Sequence, residues 1–246
     1  MKSVTHYALG ALVTGAVAPP LSRAVGLDLT PAELAVGVAI GTLAGVLPDI
    51  DTPRSVVTHG LLPLRGRGAS AAVLLGQLLS IPPRAVGVLA RSVFEHRGAT
   101  HSLAFAAIWA VLAAPLYAAL GCALIVGSGY MVELIAQLVA GADPLRMDPT
   151  AVVSWTVTRA SGAMPLVILC VLCGYLSHLL ADAMTIAPIR LWWPSRRRVW
   201  VLPRPLRIKT GGSFERHLLQ PLAVIGAVAV IVVQVGIPLC NASAVL

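Results

Sequence analysis

Long runs of apolar residues, separated by short polar segments, set the pattern of this chain. A helix that crosses a bilayer needs about 20 mainly apolar residues. Five segments approach that length: residues 4–25, 32–47, 102–126, 165–185 and 218–237. Two further apolar stretches, residues 69–93 and 130–139, are interrupted by prolines or by polar side chains. The pattern predicts an all-α integral membrane helix bundle of about five spans, with additional re-entrant or interfacial helices.

The second segment is short for a full crossing, and its glycines indicate how it fits. Gly37, Gly41 and Gly45 lie four residues apart and therefore share one face of a helix. Small residues on a helix face let a neighbouring backbone approach closely within a membrane. We therefore expect a tightly packed interior helix here.

The composition is typical of a membrane protein. Hydrophobic residues make up 57% of the chain and charged residues 11%, which is far from the average of soluble domains. The 246 residues contain no linker-like tract and no internal repeat, so we expect one domain over residues 1–246.

The net charge of +8 is concentrated in two basic stretches, residues 54–97 and 190–216. The positive-inside rule places both in the cytoplasm, so a five-span protein of the cytoplasmic membrane also has a cytoplasmic N-terminus. We expect membrane lipids as partners of these stretches, with attraction of an anionic substrate as the alternative. Nucleic acid is not expected, because Trp192, Trp193 and Trp200 beside arginines are typical of a membrane surface.

The same threading brings most of the chemically useful side chains to one end of the bundle. They are His6, Asp49, Asp51, His59, His96, His101, His178, Asp182, Glu215 and His217. The positive-inside rule places only the basic stretches and does not require these side chains to lie at one end. Their shared position therefore supports a single polar site at the cytoplasmic face.

The strongest pair in the set is His178 and Asp182. They are four residues apart in an apolar segment and share one face of a helix. Ionisable side chains within a membrane are costly, and their presence indicates a function. One interpretation is a shared metal ion, and the other is a hydrogen-bonded pair that joins two helices.

Two loops supply further candidate ligands. Asp49 and Asp51 follow an apolar helix and are flanked by prolines, so they either bind a cation or end the helix in solvent. His96 and His101 flank Arg97 and a glycine at the start of the third predicted span. Imidazoles in this position can bind a metal, and Arg97 with free backbone amides can hold an anion.

Three more side chains are candidates for the site because of where they lie along the chain. His6 begins the first span, His59 lies in the first basic stretch, and Glu215 lies where the chain re-enters the membrane. Glu215 is either a base or ligand, or an acid stabilised by a helix start. The cysteines, including Cys170 and Cys173, lie in apolar segments and are interpreted as packed small side chains.

In these motifs the chain resembles the YdjM-like family of membrane-bound metal-dependent hydrolases. The resemblance rests on Thr5-His6 with Gly10, Leu47-Pro48-Asp49-Ile50-Asp51, His96-Arg97-Gly98-Ala99-Thr100-His101-Ser102, Gly174-Tyr175-Leu176-Ser177-His178-Leu179-Leu180-Ala181-Asp182, and Thr210-Gly211-Gly212 with Glu215. That family is in turn similar to zinc-dependent phospholipase C and P1-type nucleases, which are helical enzymes with a cluster of zinc ions.

The resemblance implies an enzyme that cleaves a phosphoester, in a phospholipid or a lipid-linked phosphate, at the cytoplasmic face. It implies two or three zinc ions, with manganese as the alternative. The implied metal ligands are His6, Asp49, Asp51, His59, His96, His101, His178 and Asp182. The implied catalytic residues are Glu215 as base or further ligand, Arg97 for the charge on phosphate, and Asp49 or Asp51 as a bridge between ions.

The alternative is a non-catalytic metal-binding membrane protein or a cation transporter. Transporters place their sites near the bilayer midplane, between broken helices or repeats. The sequence shows neither a repeat nor acids in the middle of a span. A zinc protease is not expected, because the sequence has no His-Glu-x-x-His.

Overall fold

The computed structural model describes residues 1–51, 97–112, 115, 149–238 and 240. Within these residues the chain is helical, and the only β-type pairings there are isolated bridges. The predicted all-α class is therefore confirmed for this part of the chain. The interrupted stretches 69–93 and 130–139 lie outside the described residues, as does most of the second half of the predicted span 102–126.

The first two helices, α1 (Ser3–Ala24) and α2 (Pro31–Ala44), occupy the first two predicted spans. A capping box starts α2: the Thr30 hydroxyl accepts a hydrogen bond from the Glu33 amide, and the Glu33 carboxylate accepts one from the Thr30 amide. After α2 the chain continues into a 3₁₀ turn, Leu47–Asp51. The turn places Asp49 just beyond the end of α2.

Three further helices complete the described fold. A 3₁₀ turn, Ala99–His101, leads into α3 (Leu103–Leu112). The next helix, α4 (Pro149–Ala183), has 35 residues. The last, α5 (Gln220–Ile231), is extended at both ends by π-helical turns and forms a continuous helix over Glu215–Gly236.

Two of the described helices are long and apolar enough to cross a membrane. Met164–Ala183 has 20 residues with a mean hydropathy of 2.1, and Glu215–Gly236 has 22 residues with a mean hydropathy of 2.3. They coincide with the predicted spans 165–185 and 218–237. The 14 residues of α2 fall short of a full crossing, as predicted for an interior helix. The total of five spans stays a prediction.

Glycines bring α1, α2 and α4 into backbone contact. A Cβ atom at Gly10 would lie 2.7 Å from the carbonyl oxygen of Gly41, and a Cβ atom at Gly174 would overlap the same oxygen. A Cβ atom at Gly45 would lie 2.8 Å from the carbonyl oxygen of His6. The three helices approach this closely because no side chain intervenes. The predicted close packing on the glycine face of α2 is confirmed.

The glycine crossing, formed by Gly10, Gly41 and Gly174, sets the positions of two candidate ligands. His6 precedes Gly10 by one helical turn, and His178 follows Gly174 by one turn. Since α1 and α4 run in opposite directions, both imidazoles lie on the same side of the crossing. The sequence predicted that both histidines lie at the same end of the bundle. The close contact of the helices at the glycine crossing explains why their rings also meet.

The segment after α4, residues 186–214, folds over the same end of the bundle and is called the basic loop here. Ile189, a residue of this loop, is fully buried. The indole of Trp200 donates a hydrogen bond to the Ile186 carbonyl at 3.1 Å, and the Arg207 guanidinium lies 4.3 Å from the Trp200 ring. These contacts hold the loop in a defined position beside the end of α4.

Replacing Gly174 by alanine tests the glycine crossing. The new methyl group would overlap the backbone of α2, which cannot move aside as a flexible side chain does. We expect the free energy of unfolding to fall by about 1–3 kcal/mol. Thermal unfolding of the detergent-purified protein, followed by circular dichroism, measures the effect.

Gly162→Ala is the matched control for Gly174→Ala. Gly162 lies in the same helix and is exposed, and a Cβ atom there meets no described atom within 4 Å. Alanine should leave Tm unchanged or raise it slightly, because it favours helix more than glycine does. Equal Tm values for the two variants would contradict the close contact at Gly174.

Candidate metal centre

Five of the predicted ligands converge beyond the glycine crossing. They come from α1, from the turn after α2, from the turn before α3 and from α4, and they are His6, Asp49, His101, His178 and Asp182. The side chain of Asp49 is 22% exposed, whereas the other four are buried. Asp49 therefore lies on the open side of the cluster.

The five side chains form two overlapping groups, each with one ligand atom per residue within 4.8 Å of the others. One group is His6, His178 and Asp182, and the other is Asp49, His101 and His178. The Nε2 atom of His178 lies 3.4 Å from Nε2 of His101 and 3.8 Å from the nearest oxygen of each aspartate. Imidazole nitrogens and carboxylate oxygens at this spacing suit zinc and other divalent ions.

The backbone of α2 orients the ring of His178. Its Nδ1 atom lies 2.8 Å from the carbonyl oxygen of Gly45. A carbonyl oxygen only accepts hydrogen bonds, so Nδ1 must carry the proton and donate it. The Nε2 atom is then left as a ligand atom that faces the cluster, which is the usual arrangement of a metal-binding histidine.

His101 is held in a similar way from its own turn. Its Nδ1 atom lies 3.1 Å from the Thr100 hydroxyl, and the Tyr175 hydroxyl donates a hydrogen bond to the Thr100 carbonyl. Tyr175 belongs to α4, one turn before His178. The turn with His101 is thereby fixed to the helix that carries two of the other ligands.

The ring of His6 is buried without a hydrogen-bond partner among the described residues. It stacks on His178 with ring centroids 3.7 Å apart, and its Nε2 atom lies 3.4 Å from Oδ1 of Asp182. Neither ring nitrogen forms a hydrogen bond within the described part of the chain. A buried polar atom left unpaired destabilises the fold by about 1–3 kcal/mol. A metal ion bound to one of these nitrogens would remove that cost.

The carboxylate of Asp182 lies between the two groups. Its Oδ1 atom is 2.6 Å from the amino nitrogen of Met1, on the side of His6. Its Oδ2 atom is 3.0 Å from the Arg97 guanidinium and 3.6 Å from Nε2 of His101. The two cations stabilise the buried negative charge. Each oxygen of Asp182 therefore faces a different group of ligands.

Arg97 reaches across from the segment before α3 to the end of α4. Beside its ion pair with Asp182, it donates hydrogen bonds to the Ala187 carbonyl at 2.9 Å and to the Thr185 hydroxyl at 3.4 Å. Its backbone has a φ of 60°, a conformation that is uncommon for residues other than glycine. The structure thus places Arg97 at the edge of the cluster, where its role toward phosphate stays a prediction.

The protonation of the two ligands outside the candidate spans depends on their neighbours. Burial alone would raise the pKa of Asp49, but the imidazoles of His101, His178 and His6 hold it well below its usual range. Burial alone would lower the pKa of His101, but the carboxylates of Asp182 and Asp49 raise it above its usual value. A divalent ion competes with this proton, since an imidazole ligand must be neutral.

Other predicted site residues stand apart from the cluster or lie outside the described residues. Glu215 is fully buried, but its carboxylate accepts hydrogen bonds from Lys2, Thr5 and Gly211 rather than facing the five ligands. Asp51 ends the turn after α2, and its side chain is not described. His59 and His96 lie outside the described residues, and His217 is exposed. The catalytic roles of Glu215 and Asp51 stay predictions.

Sequence reasoning did not find the groups that hold the ligands in place. The Gly45 carbonyl and the Thr100 carbonyl are backbone atoms, which carry no signal in a sequence. Tyr175 did carry a signal in the sequence, because a tyrosine within an apolar helix needs a partner for its hydroxyl when it is buried. Its position one turn before His178 was the available clue.

The fold and the site define an α-helical, membrane-associated protein with buried histidine and aspartate side chains that can hold a divalent metal ion. Over residues 1–240 the chain matches the family model described as YdjM inner membrane protein, and it belongs to that family. No curated protein and no solved structure matched the chain. The resemblance to the YdjM-like family is thus confirmed, whereas similarity to zinc-dependent phospholipase C stays a prediction.

Metal content tests the donor set directly. We expect the purified protein to retain zinc or manganese, and His178→Ala to lose most of it, because His178 belongs to both groups of ligands. His217→Ala removes an exposed histidine outside both groups and should retain the metal. Inductively coupled plasma mass spectrometry on the folded proteins measures the difference. Equal metal content in the two variants would argue against this site.

Proposed function

We propose that the protein is a membrane-bound metal-dependent hydrolase that cleaves a phosphoester at the cytoplasmic face of the membrane. The expected substrate is a phospholipid or a lipid-linked phosphate. The observation that carries the proposal is the donor set itself, three imidazoles and two carboxylates within reach of one another. A structural His–Asp pair does not account for five such side chains, nor for the unpaired ring of His6.

We expect the donor set to hold two ions. His6 and Oδ1 of Asp182 would hold one, and Asp49, His101 and His178 would hold the other. Three further side chains are expected to complete the coordination, or to bind a third ion: Asp51, His59 and His96. Zinc suits this mixture of nitrogen and oxygen donors, and manganese is the alternative. When bound, such an ion lowers the pKa of a water molecule toward neutrality and withdraws negative charge from phosphate oxygens.

The residues of the chain would hold and shield the reacting groups. The glycine crossing and the apolar side chains around it exclude water from one side of the cluster. Arg97 would stabilise charge on the phosphate from its position beside Asp182. Asp49, the most exposed of the five ligands, marks the side from which a substrate would approach.

The surface beside the cluster supports a lipid substrate. In the basic loop every charged residue is an arginine or a lysine. Large apolar side chains are exposed among them, including Ile186 at 56%, Trp192 at 58% and Leu206 at 63%. Arginines attract anionic headgroups, and exposed apolar side chains favour the interfacial region of a bilayer. The loop follows Asp182 and contacts Arg97, so a lipid bound there would have its phosphate near the cluster.

The five-span topology with a cytoplasmic N-terminus is part of the same proposal. In that topology the cluster and the basic loop lie on the cytoplasmic side, where the positive-inside rule places arginine-rich segments. The shared position of the basic loop and the ligands at one end of the described helices supports it.

Hydrolysis assays test the proposed activity. We expect zinc- or manganese-loaded protein in mixed micelles to cleave an anionic phospholipid, with products identified by mass spectrometry. It should act far more slowly on a water-soluble aryl phosphodiester, which lacks the acyl chains that the basic loop would retain. Asp182→Asn should lower the rate by more than about 100-fold, since even the loss of a group that orients a metal ligand costs 10–100-fold.

Asp28→Asn is the matched control for Asp182→Asn. Asp28 is an exposed aspartate in the loop before α2, away from the cluster, and its replacement should leave the rate unchanged. If metal-loaded protein cleaves neither class of phosphoester, the cluster is better explained as a structural metal site.

A further inference from the structure

We infer that Glu215 is a positioning residue that holds His6 in the metal centre. The inference rests on the proposed function in one respect, that the cluster binds metal. It differs from the role as base or ligand that the sequence pattern suggested. It follows from the contacts of a carboxylate that is fully buried.

Both oxygens of Glu215 are occupied by donors from other segments. Its Oε1 atom accepts hydrogen bonds from the Lys2 amide at 2.6 Å and from the Thr5 hydroxyl at 3.0 Å. Its Oε2 atom accepts a hydrogen bond from the Gly211 amide at 2.6 Å. Glu215 therefore joins the start of α5, the start of α1 and the turn before α5.

Glu215 provides a hydrogen-bond acceptor at the start of α1, where the helix itself has none. The first amides of a helix have no partner within the helix, and the Lys2 side chain does not cap them. The carboxylate accepts from the Lys2 amide instead, and a negative charge is favoured at this end of a helix. Gly211, in the turn before α5, has a φ of 70°, and its own amide also donates a hydrogen bond to the carboxylate.

His6 depends on this turn for its position. It follows Thr5 directly, and its amide donates to the Lys2 carbonyl at 3.2 Å. Its ring nitrogens form no hydrogen bond among the described residues, so the ring is held by stacking on His178, by the approach of its Nε2 atom to Oδ1 of Asp182 and by the backbone of α1. A change that loosens residues 2–5 would therefore move a metal ligand without touching the metal.

The same contacts disfavour Glu215 as the base. A general base must lie within hydrogen-bond reach of the proton that it takes. Glu215 is absent from both ligand groups found in the described residues, and its oxygens already accept hydrogen bonds from three donors.

Two variants separate positioning from base catalysis, with zinc affinity as the readout. Glu215→Gln keeps the shape of the side chain but removes its charge, and Thr5→Val removes one donor while leaving the carboxylate in place. Positioning predicts that both weaken zinc binding by about 10–100-fold, the usual effect of losing a group that orients a metal ligand. Base catalysis predicts that Glu215→Gln binds zinc normally and loses only turnover, and that Thr5→Val changes neither. That second pattern would overturn the inference.

Glu33→Gln is the matched control. Glu33 also accepts hydrogen bonds from the amide and the hydroxyl of a threonine at a helix start, but it lies at the beginning of α2, away from the cluster. If the loss of any helix cap were enough to weaken zinc binding, Glu33→Gln would weaken it as well. Zinc affinity should stay unchanged in this variant, measured by competition with a chelator.

Hydrogen exchange tests the inference without metal. Losing a hydrogen bond to a charged group should speed exchange of the amides of residues 2–8 by about tenfold or more in Glu215→Gln. Unchanged exchange there would overturn the positioning role. If the unmutated protein binds no zinc, the proposed function fails, and the exchange rates still decide whether Glu215 holds the segment that carries His6.

Discussion

The contact of α1, α2 and α4 at Gly10, Gly41 and Gly174 is the constraint on which the rest of the described structure depends. Helices that meet through glycine approach until their backbones touch, so the ligands one turn beyond the crossing have little freedom to separate. The same approach brings the Gly45 carbonyl to His178, where it determines which ring nitrogen faces the cluster. Backbone packing within an apolar bundle therefore sets the geometry of a polar site.

Burial of the cluster removes the negative charge of Asp182 from water, and neighbouring cations compensate for this. Asp182 is almost fully buried, and an isolated carboxylate there would be strongly unfavourable. Arg97 and the amino group of Met1 each pair with one of its oxygens. Within the cluster, the ring nitrogens of His6 form no hydrogen bond to any described residue. The charge of Asp182 is thus compensated, whereas the His6 ring still lacks a partner that a metal ion would provide.

Much of the site could be predicted from the sequence, because its elements follow helical spacing and chain direction. The spacing of His178 and Asp182 places them on one face, and the threading of the spans assigned His6, Asp49 and His101 to the same end. The contacts that position these ligands could not be predicted in this way. The donors to Glu215 include two backbone amides, brought together by tertiary packing rather than by local pattern. An acid at a helix start looks the same in sequence whether it faces a substrate or another helix.

X-ray absorption spectroscopy at the zinc edge of the full chain, loaded with zinc and freed of excess metal, tests most directly whether the histidine and aspartate cluster binds a metal ion. If the cluster binds zinc, we expect only nitrogen and oxygen ligands at about 2.0–2.2 Å, with the scattering pattern of imidazole. Sulfur ligands at about 2.3 Å, which Cys170 and Cys173 would supply, would contradict it. So would a folded protein that retains no zinc.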